Sequence, residues 1–135
     1  MAGNYGANQY KQAAVTTASR GQVLIMLYEA AVRHCKNAAA AIEKKDTAQK
    51  GVSIGKVHDI INELLNSLDH SIGGEITKNL ESLYNFMITE LLQANIHSSV
   101  EKVQKVQKNL ETLLEGWRVA VAEVNKGSSK TESKG

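Results

Sequence analysis

Four histidines and a single cysteine are the side chains of this 135-residue chain with the most chemistry to offer. Their spacing points to none. His34, His58, His70 and His97 share no ligand pattern, and no glutamate has a histidine three residues later, the pairing that builds di-iron sites in helical bundles. One cysteine cannot complete a zinc site. A phosphate-relaying helical histidine wants a lysine and a glycine just after it to receive the phosphoryl charge. His58 is followed by Asp59-Ile60-Ile61 and His70 by Ser71-Ile72-Gly73, so neither fits. Cys35 falls on an apolar stripe, where a small core residue is expected rather than a nucleophile.

Two other features read as structure. Gly73-Gly74 is too short to cradle a phosphate and suits a turn. Lys102, Lys105 and Lys108 form a basic stripe with no interleaved aromatics and with Glu101 and Glu111 nearby, which suits a solvated helix face. A net charge of +2 is too small an electrostatic footprint for nucleic acid. No catalytic residue, cofactor-binding residue or metal ligand is expected. No apolar run approaches the ~18 residues of a membrane span, so no membrane insertion is expected. The polar start of the chain has no apolar core of a secretory signal. With one Cys a reducing compartment is the default. A soluble cytoplasmic domain is the expectation.

The elements follow from the apolar period. The chain has no proline, and its apolar residues recur at steps of three and four. The expected fold is all-α: an antiparallel, up-down-up-down four-helix bundle over 17–125, with a flexible N-terminal segment over 1–16 and a disordered tail over 126–135. The helices are placed at about 18–44, 47–71, 75–94 and 99–124. Leu24, Leu27, Tyr28, Ala31, Cys35, Ala38 and Ile42 make the first stripe. Ile54, Val57, Ile60, Ile61, Leu64, Leu65 and Leu68 make the second. Ile76, Leu80, Leu83, Tyr84, Met87 and Leu91 make the third, and Val103, Val106, Leu110, Leu113, Leu114, Trp117 and Val121 the fourth. Asp46 with Gln49, and Ser98 with Glu101, have capping-box spacing at the starts of helices two and four.

The chain carries more apolar surface than such a bundle needs. On helix one Ile25 and Val32 fall to one side of the stripe, and Val23, Met26 and Ala30 to the other. The apolar arc spans roughly 260°, against about 100° for an ordinary core-facing helix. Phe86 and Leu92 leave the stripe of helix three on opposite sides, and Val119 points away from that of helix four. Either helix one is the most buried helix and the rest is scattered exposure, or these residues line grooves that a partner fills. The N-terminal segment, with Tyr5, Tyr10 and Val15 on a polar tether, is suited to covering a groove and yielding it to a partner.

In order and spacing, Tyr10, Val15-Thr16-Thr17-Ala18-Ser19 and Met26-Leu27-Tyr28-Glu29-Ala30-Ala31-Val32-Arg33 resemble the flagellin export chaperone family, FliS. So do Ile60-Ile61-Asn62-Glu63-Leu64, Ser67-Leu68-Asp69, Gly73-Gly74-Glu75-Ile76, Asn79-Leu80, Leu83-Tyr84-Asn85-Phe86-Met87, Ala94-Asn95 and Trp117. The resemblance runs from about Tyr10 to Val124. It departs at Arg20-Gly21, where the family often has Pro, and at Ala30, where Gly is usual.

The resemblance implies a cytoplasmic bundle that binds the disordered C-terminal segment of flagellin, prevents premature polymerisation and assists its export by the flagellar type III secretion system. It also implies contact with the cytoplasmic domain of the export gate. The expected partner-binding residues are Tyr10, Val15, Ile25, Met26, Val32, Leu65, Phe86, Leu92 and Val119. The alternative is a structural helical-bundle subunit that forms a permanent homo-oligomer.

Overall fold

The computed structural model describes the backbone of residues 2–134 and the side chains of residues 20–126. Four helices account for the architecture: α1 (Ala2–Glu43), α2 (Thr47–Asn66), α3 (Gly74–His97) and α4 (Val100–Lys134). No strand is present among the described residues. Tyr10 and Val15 lie outside the described side chains, as do the segment expected to be flexible at 1–16 and the tail from 127 on.

α1 packs on α2 and α4, and α3 packs on the same two helices from the far side, so the four form a square in chain order. Long-range contacts fix the antiparallel sense. The Lys50 ammonium near the start of α2 donates to the Asn95 carbonyl near the end of α3. Arg118 of α4 pairs with Glu29 of α1 at 2.9 Å, and further toward the start of α1 Gly21 faces Val121.

The stripes meet as the periodicity requires. Tyr28, Ala31, Cys35 and Ala38 of α1 are buried with Val57, Ile61 and Leu64 of α2, Tyr84, Met87 and Leu91 of α3, and Val103, Val106 and Leu110 of α4. The α1 stripe is small through its middle, and small side chains let neighbouring backbones approach.

The turns differ from expectation in three places. Asp46 caps α2 by accepting the Gln49 N–H at 3.1 Å, but the Gln49 side chain donates to Ser53 Oγ instead of reaching back. Ser98 does not cap α4: it ends α3 in the left-handed region at φ 50°, and Ser99 caps α4 by accepting from the Lys102 N–H. The two ends are one residue out of register with the capping-box pattern because the preceding helix needs a left-handed residue to satisfy its last carbonyls. α2 ends at Asn66 rather than near 71. There the Asp69 carboxylate accepts the Ser71 N–H and hydroxyl, a local turn that competes with helical bonding. Gly73 then takes φ 88°, and a Cβ there would stand 2.2 Å from Thr77 Oγ1.

Candidate partner-binding site

The early end of α2 leaves one end of the bundle open. α4 runs on past the level of the α2–α3 loop, so core-stripe residues at this end lack a facing helix. Three cavities result, of about 280, 310 and 470 Å³, and Leu24 lines all of them. The first lies between α1 and α4, walled by Trp117, Ala120, Val121 and Val124. The second is the mouth of the bundle, walled by Leu64, Leu68, Ile72, Ile76, Leu80 and Trp117. The third lies between α1 and α2, along Val23, Leu27 and Leu64. Arg20 stands at the rim of the first and third.

The walls are mostly apolar, and so is much of the rim. Ile72 and Ile76 are 67% and 70% exposed, and Val124 is 65% exposed. Ile76, expected in the core, is therefore at the surface, because the bundle has already opened at its level. Trp117 is half-buried, packed on the core with one side toward the cavities. At the floor the Tyr28 and Tyr84 hydroxyls share a buried hydrogen bond between the diagonal helices α1 and α3. Burial raises the pKa of both phenols. For Tyr28 the contacts with Tyr84 and Trp117 offset part of that rise, while for Tyr84 the bond to Tyr28 adds to it.

The residues with reactive side chains form no constellation. Burial pushes the Cys35 thiol up to about 12, with the Glu111 charge adding to the effect. Burial, then the charges of Lys56 and Arg33, lower His34. His70 pairs with Glu81 at 3.1 Å, and His97 bonds Gln93 in its own helix. No group of three potential metal ligands occurs among the described residues, and none of their helices is long and apolar enough to cross a membrane.

The site residues named from the sequence are placed variously. Met26, Leu92 and Val119 are 65%, 58% and 57% exposed, and Phe86 is exposed with the Lys105 ammonium 5.3 Å from its ring centroid. Val119 borders a shallow depression on α4 with Thr112, Glu115 and Gly116. Ile25 and Leu65 are half-buried against the core. Val32 is buried within it and offers no surface to a partner in the free chain. None of these residues lines the three cavities. Sequence reasoning missed Leu24, Leu68, Ile72, Ile76, Leu80, Val121 and Val124 as site residues because most of them continue core stripes. For four of them the available signal was position: Leu68, Ile72, Ile76 and Leu80 flank the Gly73-Gly74 break, where a stripe runs out of partners.

The described residues thus define a four-helix bundle that is open and largely apolar at one end. Comparison with known proteins gives the family. The family described as Flagellar protein FliS matches residues 2–124. The flagellar secretion chaperone FliS of Salmonella typhimurium is 36% identical over 108 residues, which cover 79% of this chain and 80% of that protein. The Campylobacter jejuni flagellar secretion chaperone FliS is 33% identical, with 87% and 92% covered. That of Bacillus subtilis is 30% identical, with 83% of each chain covered. The chain belongs to the FliS family.

Proposed function

We propose that this protein is a flagellar secretion chaperone that captures the disordered C-terminal segment of flagellin, prevents its premature polymerisation and assists its export by the flagellar type III secretion system. The observation that carries the reading is the set of three cavities that share Leu24 in their walls, a largely apolar surface at one end of the bundle. Family membership supports it, and its curated relatives are named for flagellar secretion. A disordered client loses conformational freedom on binding, at a cost of roughly 2–5 kcal/mol, so it needs a long apolar contact. Exposed Met26, Phe86, Leu92 and Val119 extend that contact along the outer faces of the bundle. Tyr10 and Val15 are further candidate contacts for the client. The complex forms in the cytoplasm and meets the cytoplasmic domain of the export gate, and the protein performs no reaction.

Titration with the C-terminal segment of the cognate flagellin, followed by calorimetry and sedimentation, tests the reading. The expected result is a one-to-one complex from a largely monomeric protein, with a negative heat-capacity change from apolar burial. A protein that ignores the segment and sediments as a stable homo-oligomer overturns it in favour of a structural subunit.

A further inference from the structure

A net charge of +2 conceals how the charges are distributed along the bundle. The antiparallel contacts set the level of each residue. Lys50 stands by Asn95, the charge of Lys56 acts on His34, and Lys102 pairs with Glu90. Toward the other end Arg118 pairs with Glu29 and Gly21 faces Val121. Residues 33–56 and 85–108 therefore form one half of the bundle, and residues 20–32, 57–84 and 109–126 form the half that holds the three cavities. The first half carries nine Lys and Arg against four Asp and Glu, a net +5. The second carries four against nine, a net −5.

Each half also exposes apolar side chains beside its charges. In the basic half the Phe86 ring is exposed under the Lys105 ammonium, with Lys108 one turn further along α4. In the acidic half Ile72 and Ile76 stand exposed at the central cavity, with Glu75 next to Ile76 in the chain. Glu63 lines the cavity between α1 and α2. Apolar contact within a rim of opposite charge is how protein surfaces recognise each other. Here both members of the pair are on one molecule, at different places, so two copies fit head to tail rather than about a twofold axis.

We propose that the acidic open end of one copy docks on the basic half of a second copy, at Phe86, Lys105 and Lys108, and so covers the cavities until a client displaces it. Exposed charges attract weakly and are screened by salt, so the contact is reversible and the dilute protein is largely monomeric. Only the displacement step rests on the reading of flagellin as client. The contact itself rests on the charges and the apolar side chains between them.

Sedimentation of the full chain tests the contact. Wild type should associate as its concentration rises at low salt, and its self-affinity should fall about tenfold between about 0.05 and 0.3 M salt. Two double variants separate the surfaces: Lys105→Gln with Lys108→Gln, and Glu63→Gln with Glu75→Gln. Thermal midpoints near wild type verify that both fold. Each variant keeps one competent surface, so each alone should stay monomeric. Their mixture should pair at close to wild-type affinity and stop at pairs, because a pair holds only one intact contact. Wild type that stays monomeric at low salt overturns the proposal and leaves the basic half to another anionic partner. A variant that self-associates like wild type overturns it, and so does a mixture that does not pair. The C-terminal flagellin segment, added to associated wild type, should release one-to-one complexes, and assemblies that take it up intact overturn the covering of the cavities. Wild type that associates as expected but ignores the segment overturns flagellin as client and leaves the head-to-tail contact standing.

Discussion

The Lys50 ammonium donates to the Asn95 carbonyl and to the Ser98 hydroxyl, each at 2.9 Å, and ties the first turn of α2 to the last turn of α3. Lys50 is 9% exposed. Its charge satisfies a carbonyl that a helix C-terminus leaves without a partner, and a cation there complements the helix dipole. These bonds link α2 to α3 at the other end of the bundle, beside a further cavity of about 380 Å³ that Lys50 and Ser98 help to line.

Lys50→Met keeps the stem and removes both bonds. Hydrogen bonds from a charged group are worth about 1.5–3 kcal/mol, and relieving the desolvated charge returns part of that. Chemical denaturation should show a loss of about 1–2 kcal/mol. Flagellin binding at the far end should be unchanged. A variant as stable as wild type would mean that the buried ammonium costs as much as its bonds return.

Trp117 belongs to both the core and the site. A fully buried Trp truncated to Ala costs about 3–5 kcal/mol. Trp117 packs on the core with one side only, so Trp117→Ala should lose about 2 kcal/mol of stability. It should also weaken client binding, because the indole walls two of the three cavities. Calorimetry on the folded variant separates the two effects. Stability lost with affinity intact would remove those cavities from the binding surface.

Phe86→Glu tests the outer face. The ring is 39% exposed, and Lys105 stands over it, so a carboxylate there gains a cation as it loses apolar contact. Its thermal midpoint should stay close to wild type, since surface changes are usually within ±0.5 kcal/mol. Affinity for the flagellin segment should drop at least tenfold if an apolar contact is buried there, because the new charge would be desolvated. Unchanged affinity would confine the client to the open end.

The Cys35 thiol should resist reagents until the bundle unfolds. Its pKa of about 12 leaves almost no thiolate at pH 8, and the side chain is 0% exposed. Labelling by a thiol reagent should therefore track global unfolding. The linkage has a definite sign. The folded thiol keeps its proton up to about 12, whereas an ordinary thiol loses it near 9.0, so between these values the folded chain binds more protons. This contribution to stability is complete below about pH 9 and is lost as pH rises toward 12. The raised phenols of Tyr28 and Tyr84 act in the same direction. Denaturation midpoints that rose through this alkaline range would contradict the burial of all three groups.

The apolar period alone determined that the chain forms four helices, and which side of each meets the others. Tyr28, Cys35, Ile61, Tyr84, Met87, Val103 and Leu110 lie on the sequence-derived stripes and are all buried. This works because 3.6 residues per turn and the cost of leaving a continuous apolar stripe in water are local matters. The resemblance to a family was legible for the same reason, since ordered short motifs are a property of the sequence. What only the tertiary structure decided is where the bundle stops. Ile76 and Trp117 continue their stripes without a break in pattern, yet one is exposed and the other is half-buried against a cavity. Val32 leaves its stripe and is buried all the same. A stripe shows which side of a helix is apolar, not whether another helix stands opposite at that height. That depends on how far each neighbour extends, and here the turn built by Asp69, Ser71 and Gly73 ends α2 and opens the site.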